Sequence, residues 1–397
     1  MARAKVLWSV NAMDFKALPI RSLISTVIAA CTGPIAGIRQ LQMDIDEPDR
    51  MQDAPLAGIA NWNKRLLQLD GESMSLYHHI ANSSTRYGDP IADVYALVAR
   101  PNNAILVVAD GCNWGPRPRQ AARCAVHGCV SDLNSKLFES SPSTIIDIFQ
   151  IMLSSLNGAQ RLIVQNEGTT TTLCMAVVCE MTKSHDWGLC VVSVGDSPCF
   201  VWQKKTGLVL EATSKNHEGQ DRDMRDSGGC LGANVGTNPD LSNLLCCFTH
   251  LSEGDIVFLT SDGISDNFDP VIMQQVSDPL QEYEMGKGAA VLESVSAKRR
   301  QEMLLENLSG LLRQADSNSD NGLNAFLLKE AVISHVIDLT DAKRQYMEAQ
   351  EKEIEREGLT ASEKRKLIKE MQKTTTMYPG KLDHATVAAY QVGHLAI

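Results

Sequence analysis

Long apolar runs, closely paired cysteines and an excess of basic charge are all missing from this chain, and each absence removes a class of function. The hydrophobic stretch near the N-terminus begins around Leu23 and is broken by Gly33 and Pro34. It starts too late for a secretory signal and is too short to span a bilayer, so no membrane association is expected. No Cys-x-x-Cys pair occurs among the 11 cysteines, which excludes a thioredoxin-type site and a zinc ribbon. Their number is odd, and Cys174, Cys179, Cys190, Cys199, Cys246 and Cys247 lie inside apolar runs, as reduced buried thiols do. That usage points to a cytoplasmic or nuclear protein. The formal charge of −11 is spread along the sequence and argues against nucleic-acid binding. The first 43 residues carry one acid, Asp14, against Arg3, Lys5, Lys16, Arg21 and Arg39. An amphipathic helix packed on the domain explains that bias as well as a mitochondrial presequence does, and a mitochondrial address is set aside.

What is present reads as a sizeable globular core: 397 residues, 44% hydrophobic and 21% charged. Residues 1–73 read as an N-terminal extension, and from Met74 onward short strands alternate with helices in one domain, 74–397. Strands are expected at Val94–Val98, Ala104–Ala109, Thr171–Cys179, Leu189–Val194, Cys199–Trp202, Asp255–Thr260 and Ala385–Val392. Ile145, Ile148, Phe149, Met152, Leu153 and Leu156 keep helical spacing behind a Thr144/Asp147 capping box. Ala122, Val126, Cys129, Val130 and Leu133 do the same after Pro118. Cys124, His127 and Cys129 point around that helix rather than to one side, so packing is favoured over metal ligation. Residues 341–377 hold 17 charged positions of nearly balanced sign and read as a solvated helical insert. Asp316–Glu330 fails as a calcium loop, because Leu328 falls where a bidentate Glu is needed.

Three aspartates sit at the edges of apolar strand patterns. Ile105-Leu106-Val107-Val108-Ala109 runs into Asp110-Gly111, Ile256-Val257-Phe258-Leu259-Thr260-Ser261 into Asp262-Gly263, and Asp383-His384 precedes Ala385–Tyr390. A carboxylate at the end of a buried strand is desolvated and needs a partner. Glycine after it permits a tight turn and close approach of the backbone to a ligand. A single Asp-Gly is ordinary turn chemistry, but three such carboxylates suggest an oxygen-ligand site for Mg²⁺ or Mn²⁺.

In order along the chain, five segments resemble motifs of the metal-dependent type 2C protein Ser/Thr phosphatases. Val108-Ala109-Asp110-Gly111 is similar to Asp-Gly-His-Gly-Gly, Gly168-Thr169-Thr170 to Ser-Gly-Thr-Thr, and Val194-Gly195-Asp196-Ser197 to Asn-Val-Gly-Asp-Ser. Thr260-Ser261-Asp262-Gly263-Ile264-Ser265-Asp266 is similar to Ala-Ser-Asp-Gly-Leu-Trp-Asp, and Asp383-His384-Ala385-Thr386-Val387 to Asp-Asn-Met-Thr-Val. The resemblance covers about Met74 to Val392. It implies an α+β fold, an αββα sandwich of two antiparallel sheets flanked by helices, with metals held at one end. By the same resemblance Asp110 would bridge two Mg²⁺ or Mn²⁺ ions, the Gly111 carbonyl would bind the second, and Asp262 and Asp383 would complete the first. Asp93 would match the aspartate of Met-Glu-Asp, and Asp196 would hold a turn. The activity implied is hydrolysis of phosphoprotein by a metal-activated water.

The departures bear on that activity. Ala92 stands where the family has its glutamate, and Cys112 where it has the histidine that protonates the leaving group. A thiol is the poorer donor. The phosphate-binding arginine falls on Gly88, leaving Arg86 two residues away as a substitute and Arg117 and Arg119 as further sources of charge. Cys112 does not make a cysteine phosphatase loop with either of the last two, since the gaps are five and seven rather than six. Trp114 replaces a glycine beside the site. Three readings follow: a slow metal-dependent phosphatase, a pseudophosphatase that binds or scaffolds a partner, and a carrier for the charged insert.

Overall fold

The computed structural model describes residues 7–8, 18–34, 56–182, 186–214, 227–277, 295–356 and 358–396. Two sheets stack face to face. One contains, in spatial order, Leu7–Trp8, Leu245–Leu251, Trp187–Val194, Leu173–Glu180, Asn103–Ala109, Val94–Arg100, Ala29–Gly33 and Asn63–Lys64. The other contains Leu208–Glu211, Cys199–Gln203, Ile256–Thr260, His384–Gln391 and Leu69–Ser75. A small third sheet joins Asn238–Asp240, Cys230–Val235 and Thr170–Thr171. Neighbours are antiparallel, apart from Leu7–Trp8 beside Leu245–Leu251. The helices are α1 (Pro116–Glu139), α2 (Ile145–Gln165), the short α3 (Asp262–Ser265), α4 (Ala297–Ser317), α5 (Ala325–Ile354) and α6 (Ala361–Thr375).

Side-chain alternation builds the layers. Val94, Ala96, Val98, Ile105 and Val107 face Ala122, Val126 and Cys129 of α1 and Ile148 and Met152 of α2. Tyr95, Leu97, Ala99, Leu106 and Val108 face the opposite way, against Val201, Val257, Leu259, Ala388 and Tyr390 of the second sheet. That sheet's outer face, including Phe200, Phe258, Val387 and Ala389, packs on Leu308 and Leu312 of α4 and Leu328, Val332 and Val336 of α5. The result is the expected α+β class, with helices on both outer faces. Strands covered on both sides explain the unbroken apolar runs in the sequence.

Among the described residues before 74, the strands belong to the sandwich rather than standing outside it. Ala29–Gly33 pairs with Val94–Arg100, and Leu69–Ser75 pairs with His384–Gln391. The polar make-up of Leu69–Ser75 conceals this: Asp70 is buried but held by Arg65 at 3.4 Å and Lys329 at 3.3 Å. The Thr144/Asp147 capping box forms, and α1 opens on Pro116 with Pro118 in its first turn. None of the 11 cysteines is in a disulfide, and Cys112 alone is more than marginally exposed. Cys124 and Cys129 lie in the core beneath α1, with the Cys129 thiol 3.6 Å from Met175 Sδ. Asp316 accepts from the Leu323 amide at 2.7 Å and closes a turn between α4 and α5. The charged stretch is not one free insert, because α5 runs unbroken from the core residue Leu328 to Ile354.

Candidate functional site

The three strand-end aspartates converge at one end of the sandwich. Asp110 is stitched to the neighbouring segment: its amide donates to Thr172 Oγ1 at 3.1 Å, and its carbonyl accepts from the Thr172 amide at 2.8 Å and Thr171 Oγ1 at 2.7 Å. The Gly-Thr-Thr motif therefore leads into the hydroxyls that hold Asp110. Asp262 opens α3, and Ser261 before it exchanges backbone and side-chain hydrogen bonds with Thr386 at 3.0 and 2.9 Å. Asp383 stands at the entry to His384–Gln391; its Oδ1 accepts from Tyr77 Oη at 3.0 Å and its carbonyl from the Leu76 amide at 2.8 Å. Trp114 Nε1 donates to Tyr77 Oη at 2.8 Å, so the expected site-loop tryptophan braces the tyrosine over Asp383. The glycines after Asp110 and Asp262 serve close packing rather than tight turns. A Cβ on Gly111 would lie 2.5 Å from the Pro118 carbonyl oxygen, and one on Gly263 1.9 Å from that of His384.

Crowding of like charge dominates the electrostatics. Burial, reinforced by Asp93, Asp262, Asp383 and Asp196, holds the Asp110 carboxyl well above the usual range. Asp262 is raised by burial and by Asp383, Asp266 and Asp196, against the pull of Lys381. Asp93 is wholly buried, and burial raises it too; Ser261 and Thr386 favour its ionised form without either making a hydrogen bond of normal geometry to its oxygens.

Lys381, which the motifs do not include, supplies the cation. Its Nζ lies 2.5 Å from Asp262 Oδ2, 2.9 Å from Asp266 Oδ2 and 3.1 Å from Asp383 Oδ2. Burial alone would lower this ammonium, but Asp266, Asp262 and Asp383 outweigh it and hold it well above the ordinary lysine range. The donor chemistry of Asp110, Asp262 and Asp383 suits a hard divalent ion, yet two of the three carboxylates close on Lys381 instead. Among the described residues, no group of three or more His, Cys, Asp or Glu is arranged to hold a metal. As arranged, the residues do not fit the first metal of the resemblance.

The remaining candidates are placed as follows. Gly111 bridges to Thr171. Burial pushes the Cys112 thiol up to about 11, so it stays protonated at neutral pH. Arg86 spends its guanidinium on the carbonyl of Tyr77, whose hydroxyl reaches Asp383. Arg117 donates to the Glu167 carbonyl at 3.2 Å. Ala92 is fully buried, and its amide donates to His384 Nδ1 at 3.3 Å. Asp196 lies in a turn whose Gly195 has φ +99° and donates to Asn243. Sequence reasoning missed Lys381, Tyr77 and Asn267 and gave Asp266 no role. Asp262 and Asp266 lie four apart, the spacing that brings two side chains to one side of a helical turn; nothing comparable marks Lys381.

An acidic cluster at the end of an αββα sandwich is the class of site that the motifs imply. A sequence profile of the Protein phosphatase 2C family matches residues 81–313, more than half of the chain, and the chain belongs to that family. It is 42% identical over 225 residues to the PP2C-like domain-containing protein CG9801 of Drosophila melanogaster, covering 55% of this chain and 32% of that protein. The chain thus spans about a third of that relative's length. Among solved structures it is similar to the photosystem II phosphatase PBCP, with 16% identity, TM-score 0.41, and 82% of this chain and 100% of that one covered. The S. agalactiae serine/threonine phosphatase matches with 13% identity and TM-score 0.37, again over 82% and 100%.

Proposed function

We propose that this chain is a pseudophosphatase: a type 2C domain that engages phosphoprotein partners without efficient hydrolysis. The carrying observation is the Lys381 ammonium set against Asp262, Asp266 and Asp383, where the resemblance calls for a divalent ion. Ala92 and Cys112 support the reading, since a methyl and a protonated thiol replace a carboxylate and an imidazole. Mostly buried cysteines outside any disulfide support a reducing compartment, cytoplasmic or nuclear.

The second reading is a slow phosphatase dependent on Mg²⁺ or Mn²⁺. It is favoured by the convergence of Asp110, Asp262 and Asp383, with the Gly111 carbonyl and Asp93 nearby, because a site without chemistry has no need of so many desolvated carboxylates. Hydrolysis of a phosphothreonine peptide, with and without Mn²⁺ and beside Asp262→Asn, separates the two. A pseudophosphatase gives no turnover above the mutant. Turnover that needs Mn²⁺ and disappears in Asp262→Asn establishes the enzyme.

A further inference from the structure

We propose that Lys381 is a built-in cation that takes the place of a divalent ion in the carboxylate cluster, and that removing it opens a metal site. The inference rests on reading the cluster as the counterpart of the family's metal site, but it concerns what fills that site rather than whether the domain turns over.

One ammonium donates to Asp262 Oδ2 at 2.5 Å and Asp266 Oδ2 at 2.9 Å and pairs ionically with Asp383 Oδ2 at 3.1 Å. A divalent ion of the magnesium class needs carboxylate oxygens at roughly 2.0–2.1 Å. It cannot share Asp262 and Asp383 with an ammonium already in contact with both. Like charge excludes it as well.

The backbone around Lys381 is held as tightly as its side chain. Its amide donates to Asn267 Oδ1 at 2.8 Å, and its carbonyl accepts from Asn267 Nδ2 at 3.0 Å. Asn267 is itself fully buried and also donates to the Gly263 carbonyl at 2.7 Å, tying Lys381 to the Asp262 turn. Gly380 donates to the Ile272 carbonyl at 2.9 Å, and its own carbonyl receives the Lys343 ammonium from α5. Gly380 adopts φ +87°, with space for a Cβ limited by Thr340 Cγ2 at 2.8 Å. The chain therefore enters the cluster along a path pinned by α5, and the lysine arrives pre-aimed. A surface lysine drawn to nearby acids would not need these anchors.

The test is Mn²⁺ uptake by the full chain, followed by electron paramagnetic resonance and by the shift of thermal melting. It compares the native protein, Lys381→Ala, the double variant Lys381→Ala/Asp266→Asn, and Lys381→Ala/Asp262→Asn. The Asp266 substitution removes one negative charge along with the positive one and guards against a variant that fails to fold. Lys381→Ala, alone or with Asp266→Asn, is expected to bind one Mn²⁺ at least on the order of tenfold more tightly than the native chain. Its melting point should rise with Mn²⁺, and the Asp262 double variant should lose both effects. A variant that folds only when Mn²⁺ is added supports the proposal equally. It is overturned if the native chain binds Mn²⁺ as tightly as Lys381→Ala, if folded variants take up none, or if neither folds with or without Mn²⁺. The outcomes stay separate from those of the peptide assay. Turnover by a native chain that excludes Mn²⁺ sinks the pseudophosphatase reading alone, whereas Mn²⁺ uptake without turnover sinks the role of Lys381 alone.

Discussion

Two Asp-Gly pairs end two apolar strands of this protein, and they meet different electrostatic partners. Asp262 takes an ammonium at 2.5 Å, whereas among the described residues no ion pair reaches Asp110, which burial and four surrounding carboxylates push upward. The dipeptides are identical and the strands before them are equally buried. What differs is the approaching segment. Thr171 and Thr172 bring hydroxyls to the Asp110 backbone, while the Gly380–Asp383 segment brings a lysine to Asp262. A local motif fixes where a carboxylate sits, and distant chain decides what it meets.

Opposite signs on removing charge would test that difference most sharply. Lys381→Ala should destabilise the fold by roughly 3 kcal/mol in metal-free urea denaturation, because the buried Asp266 and the partly buried Asp262 and Asp383 lose their cation. Asp110→Asn should instead stabilise it by about 1 kcal/mol, since it removes repulsion without leaving a cation unpaired. Equal signs would mean the two ends are electrostatically alike. The glycines give the next largest effect. Gly263→Ala should cost roughly 3 kcal/mol and Gly111→Ala somewhat less, following the 1.9 and 2.5 Å approaches to backbone oxygens. Tyr77→Phe, which deprives Asp383 of its hydroxyl donor, should cost about 1–2 kcal/mol in the same denaturation experiment.

The smallest effect is a pH dependence. Burial lowers the Lys343 ammonium from 10.5 to about 8. Between those values the unfolded chain holds a proton that the folded chain has released, so stability rises with pH across that window, and the cost is fully present below it. Lys343→Met should flatten that rise by on the order of 1 kcal/mol when urea midpoints are compared at pH 7 and pH 10.

Much of the fold was legible because its strands are buried on both faces and its second helix carries a complete cap. Val94–Arg100 and Asn103–Ala109 declare themselves as apolar runs, and the Thr144/Asp147 box marks where α2 starts. Leu69–Ser75 does not, since Asp70, Gly71 and Glu72 contradict strand propensity and are tolerated only through Arg65 and Lys329, the latter 257 residues from Glu72. The aspartates of the site were readable from their strands. Lys381 was not: a single lysine outside any motif has no periodicity, and its role arises only when Asn267 and α5 bring it to the cluster.

The burial of the thiols turns the cysteines into an internal clock for opening. Ten of the 11 are shut away, and only Cys112, two residues past Asp110, is partly open to solvent. A gentle alkylating reagent should therefore report in two beats: a first, slow modification at the acidic end, then the rest together when the sandwich comes apart. The interval between them would measure how far the mouth of the site can loosen while the body of the protein stays closed.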